Sequence, residues 1–155
     1  GGGRLPPAPT SARTKAPGGG GGGAPRPTAE PNDSSVTLFV RVARGPTLLL
    51  LGDLEPPAQR ALSREYPALP PVDVLKVAHH GSPHQDPGLL REVRPRLALI
   101  SAGRDNPYGH PAPRTVDALR AGGATVLSTD RDGAIAVVGA GAGLRAVPRG
   151  RSGER

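Results

Sequence analysis

Two adjacent histidines follow a short apolar segment in the middle of the chain, in the stretch VLKVAHHGSPHQD. His79 and His80 are two of only four histidines in 155 residues. Asp53 stands in an equivalent place, directly after the apolar run TLLLLG. Imidazole and carboxylate are common ligands of Zn²⁺ and Mn²⁺, and a carboxylate can bridge two metal ions. The residue types therefore point to a metal site that combines Asp53 with a histidine of the pair.

Each of these residues also has an ordinary structural interpretation. A Gly-Asp pair after a strand is a common turn, and adjacent histidines often lie on a surface or cap a helix. His84 lies in a loop flanked by proline, where solvation suffices to explain it. His110, in NPYGHP, can cap the helix that begins near Pro113. Taken singly, none of them establishes a metal site, so the hypothesis depends on the elements that position them.

The apolar pattern predicts short strands mixed with helices of about ten residues, which is typical of a layered α/β or α+β fold. We expect strands over 36–42, 47–51, 72–78, 96–101, 124–129 and 134–138, and helices that open at Pro56, Pro87 and Pro113. The first strand alternates apolar and other residues, which predicts one apolar face. The last two strands flank the turn DRDG and are predicted to form a hairpin.

This succession of elements places Asp53 and the histidine pair at the ends of successive strands. Neighbouring strands lie about 4.8 Å apart, so side chains at adjacent strand exits can converge on one point. We therefore expect Asp53 and one of the two histidines to face a shared cation.

Composition divides the chain into three parts. Residues 1–31 contain nine Gly and seven Pro, which predicts a disordered linker or insert. Residues 32–139 carry the apolar pattern of one domain. Residues 140–155 are predicted to be a disordered basic tail with at most a frayed strand at its start. The first residue is not Met, and the chain reads as a fragment or a processed piece.

Charge and cysteine content restrict the function further. The net charge is +7, yet residues 32–139 hold twelve Lys and Arg against eleven Asp and Glu, so the patterned part is almost neutral. Charge alone therefore does not argue for nucleic-acid binding. The chain lacks cysteine, which excludes disulfides and thiolate metal sites. Its longest apolar run is far shorter than the roughly 20 residues of a membrane helix.

The order and spacing of several short motifs are more specific than any one residue. NDSSV, LLLLGDLE, VDVLKVAHHGS, LALISAGRDNPYGHP and STDRDGAI occur in this order. Together they resemble the C-terminal part of the metallo-β-lactamase-like domain of ComEC-type DNA internalization-related competence proteins, over about 32–138. The resemblance implies half of an αββα sandwich, with a mixed sheet, flanking helices and a metal centre at one edge.

The resemblance also assigns expected roles to residues. Asp53 matches a metal-bridging aspartate, and the HHGS element matches a histidine ligand, with His80 favoured over His79. Four residues match positions near the family's cleft, where they position substrate or shape loops: Ser82, Asn106, Tyr108 and His110. Asn32, Ser34 and Ser35 match the start of this half and are secondary candidates.

Part of the family's site is absent from this sequence. Members with an intact site carry an H-x-H-x-D-H motif and an early D-x-G-Q-G-D strand, and neither occurs here. Since a hydrolytic metal ion needs several ligands, we expect half an active site and no activity from the chain alone. We also expect the exposed sheet edge of this half to depend on the other half for stability.

By resemblance, the complete domain would be a metal-dependent nuclease with two Zn²⁺ or Mn²⁺ ions. It would act on single-stranded DNA, degrading the strand that is not imported. Its partner would be the membrane channel of the same parent protein, with this domain outside the cytoplasm and the isolated piece soluble. Two alternatives stay open at this point: a separate hydrolase of the same fold with another substrate, and a degenerate domain that binds DNA or a partner without catalysis.

Overall fold

A computed structural model describes residues 31–150 of the chain. They form seven strands and four helices together with short 3-10 turns. The strands are β1 (Leu38–Arg41), β2 (Thr47–Leu50), β3 (Val74–Lys76), β4 (Leu97–Ile100), β5 (Thr125–Ser128), β6 (Ala134–Val138) and β7 (Arg145–Arg149). The helices are α1 (Pro56–Glu65), α2 (Pro87–Val93), α3 (Pro113–Ala121) and the single turn α4 (Thr129–Asp132).

Five strands form one mixed sheet in the order β1-β2-β3-β4-β5. β1 and β2 are antiparallel, whereas β2 to β5 run parallel in sequence order. Right-handed crossovers between successive parallel strands place the connecting helices on the same face of a sheet. α1, α2 and α3 make these three connections. The predicted α/β fold with a mixed sheet and flanking helices is confirmed, while the assignment to a metallo-β-lactamase sandwich stays a prediction.

The core lies between the sheet and its three helices. Leu49, Leu75 and Ile100 from the strands are at most 1% exposed, and they pack with Leu89 of α2 and Leu119 of α3. Burial of a leucine or isoleucine side chain contributes about 1.5–3 kcal/mol. This face therefore supplies most of the apolar stabilisation of the described residues.

β6 and β7 form a second, antiparallel sheet on the opposite face. Leu144, at the start of this sheet, is 8% exposed and packs against Val74 and Leu97. Val137 and Ala146 lie partly buried in the same cluster. The fold thus has three layers: helices, a five-stranded sheet and a two-stranded sheet.

The predicted hairpin between residues 124–129 and 134–138 is wrong. β5 pairs in parallel with β4, and β6 pairs with β7. The DRDG segment enters α4, where the backbone N–H of Ser128 donates to the Asp132 carboxylate at 2.8 Å. Burial by itself would raise the pKa of Asp132, but this bond and the neighbouring Arg131 together hold that pKa below its usual value. The residues of this segment are typical of a tight hairpin turn, but in this fold they connect β5 of the first sheet to β6 of the second.

The prediction of a disordered tail over 140–155 is wrong for Arg145–Arg149, which form β7. Leu144 and Ala146 alternate along this segment and face the main sheet, so the segment makes apolar contacts that its Gly-rich and basic composition does not indicate. The predicted linker over 1–31 lies outside the described residues except for Pro31, as do residues 151–155.

The apolar face predicted for the first strand is largely exposed. Val36, Leu38 and Val42 are 74%, 46% and 48% exposed, and β1 is shorter than predicted. Phe39, on the other face, packs against the helix-side core. Among the described residues, the two-stranded sheet leaves this part of β1 uncovered.

A buried glutamine ties α1 to the loop before it and to the loop before α2. Gln59 is fully buried; its Nε2 donates to the Leu54 carbonyl at 2.7 Å, and its Oε1 accepts from the Asp86 backbone N–H at 2.8 Å. Asp86 in turn caps α2, because its Oδ1 accepts from the Leu89 backbone N–H at 2.9 Å. A single amide thus joins the loop after β2 to the start of α2.

We expect Gln59→Leu to lower the free energy of unfolding by about 2–3 kcal/mol, because it leaves a buried carbonyl and a buried N–H without partners. Urea unfolding of the 155-residue chain measures the change. Ser63→Ala on the same helix is the matched control, since the buried Ser63 hydroxyl has no partner within residues 31–150. Equal stability of Gln59→Leu and the wild type would contradict the expected role of the amide.

A second polar link lies at the opposite end of the sheet from the candidate site. The Asp73 carboxylate accepts from the Thr47 backbone N–H at 2.9 Å and from its hydroxyl at 3.1 Å, and it pairs with Arg96 at 3.2 Å. The Thr47 backbone bond is the main reason that the pKa of Asp73 lies below 3.8, and burial partly opposes it. Asp73 therefore joins the amino-terminal ends of β2, β3 and β4.

Since the pKa of Asp73 is lower in the folded chain, the unfolded chain takes up this proton first as the pH falls. The stabilisation is complete above about pH 4 and is lost as the pH falls through the folded-state pKa. We expect Asp73→Asn to cost about 1–2 kcal/mol at neutral pH and to flatten the loss of stability below pH 4. Thermal unfolding across pH 2.5–7, compared with the exposed Asp117→Asn, checks this; parallel pH profiles for Asp73→Asn and the wild type would refute it.

Candidate functional site

The parallel strands β2, β3 and β4 end at the same edge of the sheet, and the candidate residues follow these ends. Asp53 comes after β2, the two histidines come after β3, and Ser101 comes directly after β4. The carboxyl ends of parallel strands are a frequent location of binding sites in α/β proteins. The sheet therefore positions the residues that the sequence singled out.

Asp53 and His80 lie together at this edge. The Asp53 Oδ1 atom is 3.8 Å from His80 Nε2, and both side chains are about half exposed, at 41% and 50%. Zinc–nitrogen and zinc–oxygen distances are each about 2.0–2.2 Å, so both atoms can reach one ion placed between them. The predicted convergence of the two strand exits is thus present in the structure.

The other ring nitrogen of His80 fixes how the imidazole is presented. His80 Nδ1 lies 2.7 Å from the carbonyl oxygen of Ser101. A carbonyl oxygen only accepts, so Nδ1 carries the proton, and in the neutral ring Nε2 is left with a lone pair. A histidine whose second nitrogen donates to a carbonyl is the usual arrangement of a metal ligand. This geometry favours His80 over His79 as the ligand.

His79 is engaged in a different contact. Its Nδ1 lies 2.5 Å from Glu55 Oε1, and its side chain is less exposed than that of His80. The His79 ring also meets the His110 ring edge to face, with 5.8 Å between their centroids. His79 thus contacts both Glu55, at the start of α1, and His110, in the loop before α3.

The backbone of the histidine pair is strained. His79 and His80 both have positive φ angles, 43° and 52°, and Gly81 follows at 73°. The left-handed conformation costs a non-glycine residue about 1–2 kcal/mol. The His79 N–H donates to the Gly52 carbonyl at 3.0 Å, and the Ser82 N–H donates to the His79 carbonyl at 2.8 Å. These bonds hold a conformation that places two successive imidazoles at the strand exit.

Gly81 is required by space as well as by its backbone angle. A Cβ atom added there would lie 3.0 Å from Pro111 Cβ and 3.2 Å from the Ile100 side chain. The Gly81 carbonyl accepts from the Ala112 N–H at 2.8 Å. The turn after the histidines is therefore packed directly against the segment that begins α3.

Lys76, the last residue of β3, is a charged neighbour of the site that the sequence analysis missed. Its Nζ donates to the Val77 carbonyl at 2.9 Å. Burial lowers the pKa of Lys76, and the nearby Asp53 charge opposes that shift. The available signal was a lone lysine at the end of an apolar strand, which is easily mistaken for a solvated residue.

Of the residues predicted near the cleft, two shape loops. Ser82 is 1% exposed, and its carbonyl accepts from the Thr115 hydroxyl at 2.7 Å. The Asn106 amide donates to the carbonyls of Gly103 and His110 at 2.7 and 2.6 Å, and its oxygen accepts from the His110 N–H at 3.0 Å. These contacts fix the loops on either side of the histidine pair.

The rings of His80, His79, His110 and Tyr108 contact one another in this order and form a cluster, with Tyr108 at its outer end. Tyr108 is 78% exposed and stacks on the His110 ring, with 6.0 Å between centroids and 24° between planes. Burial, aided by the neighbouring histidines, lowers the pKa of His110. His110 Nδ1 is buried and has no hydrogen-bond partner within residues 31–150. His84, by contrast, is exposed.

The secondary candidates at the start of the described part are placed differently. The Ser35 hydroxyl accepts from the Asp53 backbone N–H at 3.0 Å, so this side chain supports the aspartate directly. The Asn32 carbonyl accepts from the Ser35 N–H at 3.1 Å, whereas Ser34 is exposed. Ser35 therefore positions the loop that carries Asp53.

The described residues supply only part of a metal site. In residues 31–150, no group of three or more histidine, cysteine, aspartate or glutamate side chains is arranged to hold an ion. Catalytic zinc has three protein ligands and a water molecule. Asp53 and His80 fit two of these positions, so the predicted Zn²⁺ or Mn²⁺ site stays a prediction.

Within residues 31–150, every helix is too short or too polar to span a lipid bilayer.

The strained turn leads to a measurable difference between two variants. We expect His80→Gly to be about 1 kcal/mol more stable than His80→Ala, because glycine adopts positive φ without cost. Both variants remove the imidazole, so the difference isolates the backbone. Guanidinium unfolding of each variant checks this; an alanine variant as stable as the glycine variant would show that the turn is unstrained.

Several curated proteins are similar to the chain. ComE operon protein 3 of Bacillus subtilis is 36% identical over 113 residues, which is 72% of this chain and 14% of that protein. Competence protein ComA of Neisseria gonorrhoeae is 36% identical over 111 residues, 71% of this chain and 16% of its own length. Recombination protein 2 of Haemophilus influenzae is 33% identical over 111 residues, with shares of 71% and 14%.

The chain thus spans about a seventh of the length of these relatives. No family model and no solved structure matches it. The similarity covers most of the chain, and the identity is 36% for both the Bacillus subtilis and the Neisseria gonorrhoeae protein. The chain is therefore homologous to one segment of a family of competence proteins.

Proposed function

We propose that this chain is part of a competence protein that takes up DNA, and that its complete domain is a metal-dependent nuclease. The observation that carries the proposal is the placement of His80 Nε2 and Asp53 Oδ1, 3.8 Å apart at the carboxyl edge of the parallel strands. A bound Zn²⁺ or Mn²⁺ ion would supply activated water and would stabilise charge on a phosphodiester.

The chain's own residues have separable roles in this proposal. His80 presents Nε2 because Ser101 accepts the proton on Nδ1, and Asp53 presents a carboxylate whose loop is fixed by the Ser35 hydroxyl. Both side chains are about half exposed, so a large substrate such as a nucleic acid can approach them. Lys76 adds a positive charge beside the aspartate, where it partly balances the carboxylate.

The remaining ligands would come from the rest of the domain in the parent protein. Val36, Leu38 and Val42 form an exposed apolar face on and beside β1, and such a patch is typical of a surface that another part of a protein covers. The relatives' far greater length leaves ample chain for that part. Single-stranded DNA is the proposed substrate, and the parent's membrane channel is the proposed partner.

The nuclease activity is tested on the complete parent domain with single-stranded DNA and added Mn²⁺ or Zn²⁺. We expect Asp53→Ala and His80→Ala each to slow cleavage by roughly 100-fold or more, since each removes a ligand. His84→Ala, which changes an exposed histidine that is not a proposed ligand, is the matched control and should cleave at the wild-type rate. Wild-type rates in both Asp53→Ala and His80→Ala would exclude these residues from the site.

A further inference from the structure

An exposed aromatic ring stands next to the candidate site. The chain has only two tyrosines, one phenylalanine and no tryptophan. Phe39 packs against the core, and Tyr66 is half-buried, whereas Tyr108 is 78% exposed. Aromatic side chains stabilise a fold mainly when they are buried. In a chain so poor in aromatic residues, core packing does not explain why Tyr108 is left in solvent.

The loop that carries Tyr108 is fixed from both sides. The Asn106 side chain makes three hydrogen bonds, to the carbonyls of Gly103 and His110 and from the His110 N–H. The phenol ring stacks on His110 with an angle of 24° between planes. Because these contacts already hold the Tyr108 ring, binding of a ligand to it costs little side-chain conformational entropy.

Successive ring contacts connect Tyr108 with the candidate metal ligands. The Tyr108 ring centroid lies 6.0 Å from that of His110, and the His110 centroid lies 5.8 Å from that of His79. The His79 and His80 centroids are 6.2 Å apart, and His80 faces Asp53. Tyr108 therefore marks the outer end of the same cluster, within the reach of one short, flexible substrate chain.

We propose that Tyr108 is a nucleobase subsite, on which one base of single-stranded DNA stacks while the neighbouring backbone approaches His80 and Asp53. This inference rests on the proposed function. Stacking on an aromatic ring tolerates any base, because every base has a π-face. In a duplex the bases are already stacked on one another, so the subsite favours single strands.

Stacking also suits the local charge better than a phosphate contact at this position. Tyr108 presents the face of an aromatic ring, and burial lowers the pKa of His110 beneath it, which disfavours the charged imidazolium. A flat, uncharged surface binds a base, whereas phosphates need cations or N–H donors. The subsite would thus set where the strand lies and leave the backbone free to enter the cluster.

Tyrosine emission tests the proposal directly on the 155-residue chain. Tyr66→Phe leaves Tyr108 as the only tyrosine in a chain without tryptophan, so its fluorescence reports on this ring alone. We expect an oligothymidine to quench that emission and an abasic strand with the same number of phosphates to leave it unchanged. Absence of quenching, or equal quenching by the abasic strand, would overturn the proposal.

Affinity measurements supply the second test. We expect Tyr108→Ala to bind a labelled oligothymidine about tenfold more weakly, while Tyr108→Phe stays within about twofold of the wild type. The abasic strand should bind the wild type and Tyr108→Ala equally, and Tyr66→Phe is the matched control. Wild-type affinity in Tyr108→Ala, or an equal loss for both strands, would overturn the proposal.

The two proposals fail in different ways. If Asp53→Ala cleaves normally in the complete domain, the nuclease site is misassigned, and base-dependent quenching of Tyr108 is still expected. If cleavage needs Asp53 but Tyr108 shows no base-dependent quenching, the nuclease stands and the subsite does not exist. If Tyr108 binds a protein partner instead of DNA, cleavage would still need Asp53, and the DNA strand would not quench Tyr108; this result also overturns the subsite.

Discussion

The parallel register of β2, β3 and β4 is the constraint on which the candidate site depends. Leu50 lies opposite Lys76, and Lys76 lies opposite Leu99, so the three strands end within about one residue of each other. Their exits then lie side by side at the strand spacing of about 4.8 Å. The N–H of His79 donates to the Gly52 carbonyl and closes the first two exits against each other. A shift of one residue in either pairing would move Asp53 away from His80 and turn their side chains to other faces.

The histidine turn shows how local cost and global packing are combined. Two successive residues adopt left-handed angles that the chain would avoid in isolation. They are held there by the His79 N–H bond to the Gly52 carbonyl and by the close packing of Gly81 against Pro111 and Ile100. Strain of this kind is common at functional positions. The same packing that builds the core thus sets the direction of the two imidazoles.

Much of this arrangement follows from local sequence signals. Pro56, Pro87 and Pro113 each start a helix, and Asp86 caps α2 as its position before Pro87 indicates. The approach of Asp53 to His80 followed from counting strand exits. The pairing of β5 and β6 is harder to predict from the sequence. The residues between these strands fit a hairpin turn as well as a connection between two sheets. The choice of β4 as the partner of β5 is a non-local matter of burying Val126, which is 8% exposed.

The functional roles of individual side chains were predictable to a smaller extent. Ser82 matches a cleft position in the sequence, but its side chain is buried and its carbonyl accepts from the Thr115 hydroxyl of α3. Lys76 escaped notice because only the folded sheet brings it beside Asp53. The contact of Ser35 with the Asp53 loop joins residues eighteen positions apart, and no local periodicity indicates it. Such polar contacts depend on tertiary placement rather than on residue type or spacing.

The buried amide of Gln59 has a mechanical consequence. It binds the carbonyl of Leu54, next to Asp53, and it also contacts Gln85, whose own amide donates to the carbonyl of Ala78, next to His79. The loop that carries Asp53 and the loop that carries the two histidines are thus connected by hydrogen bonds through Gln59 and Gln85. Because one side chain contacts both loops, a substitution of Gln59 would loosen the loop of Asp53 and the loop of the histidine pair together.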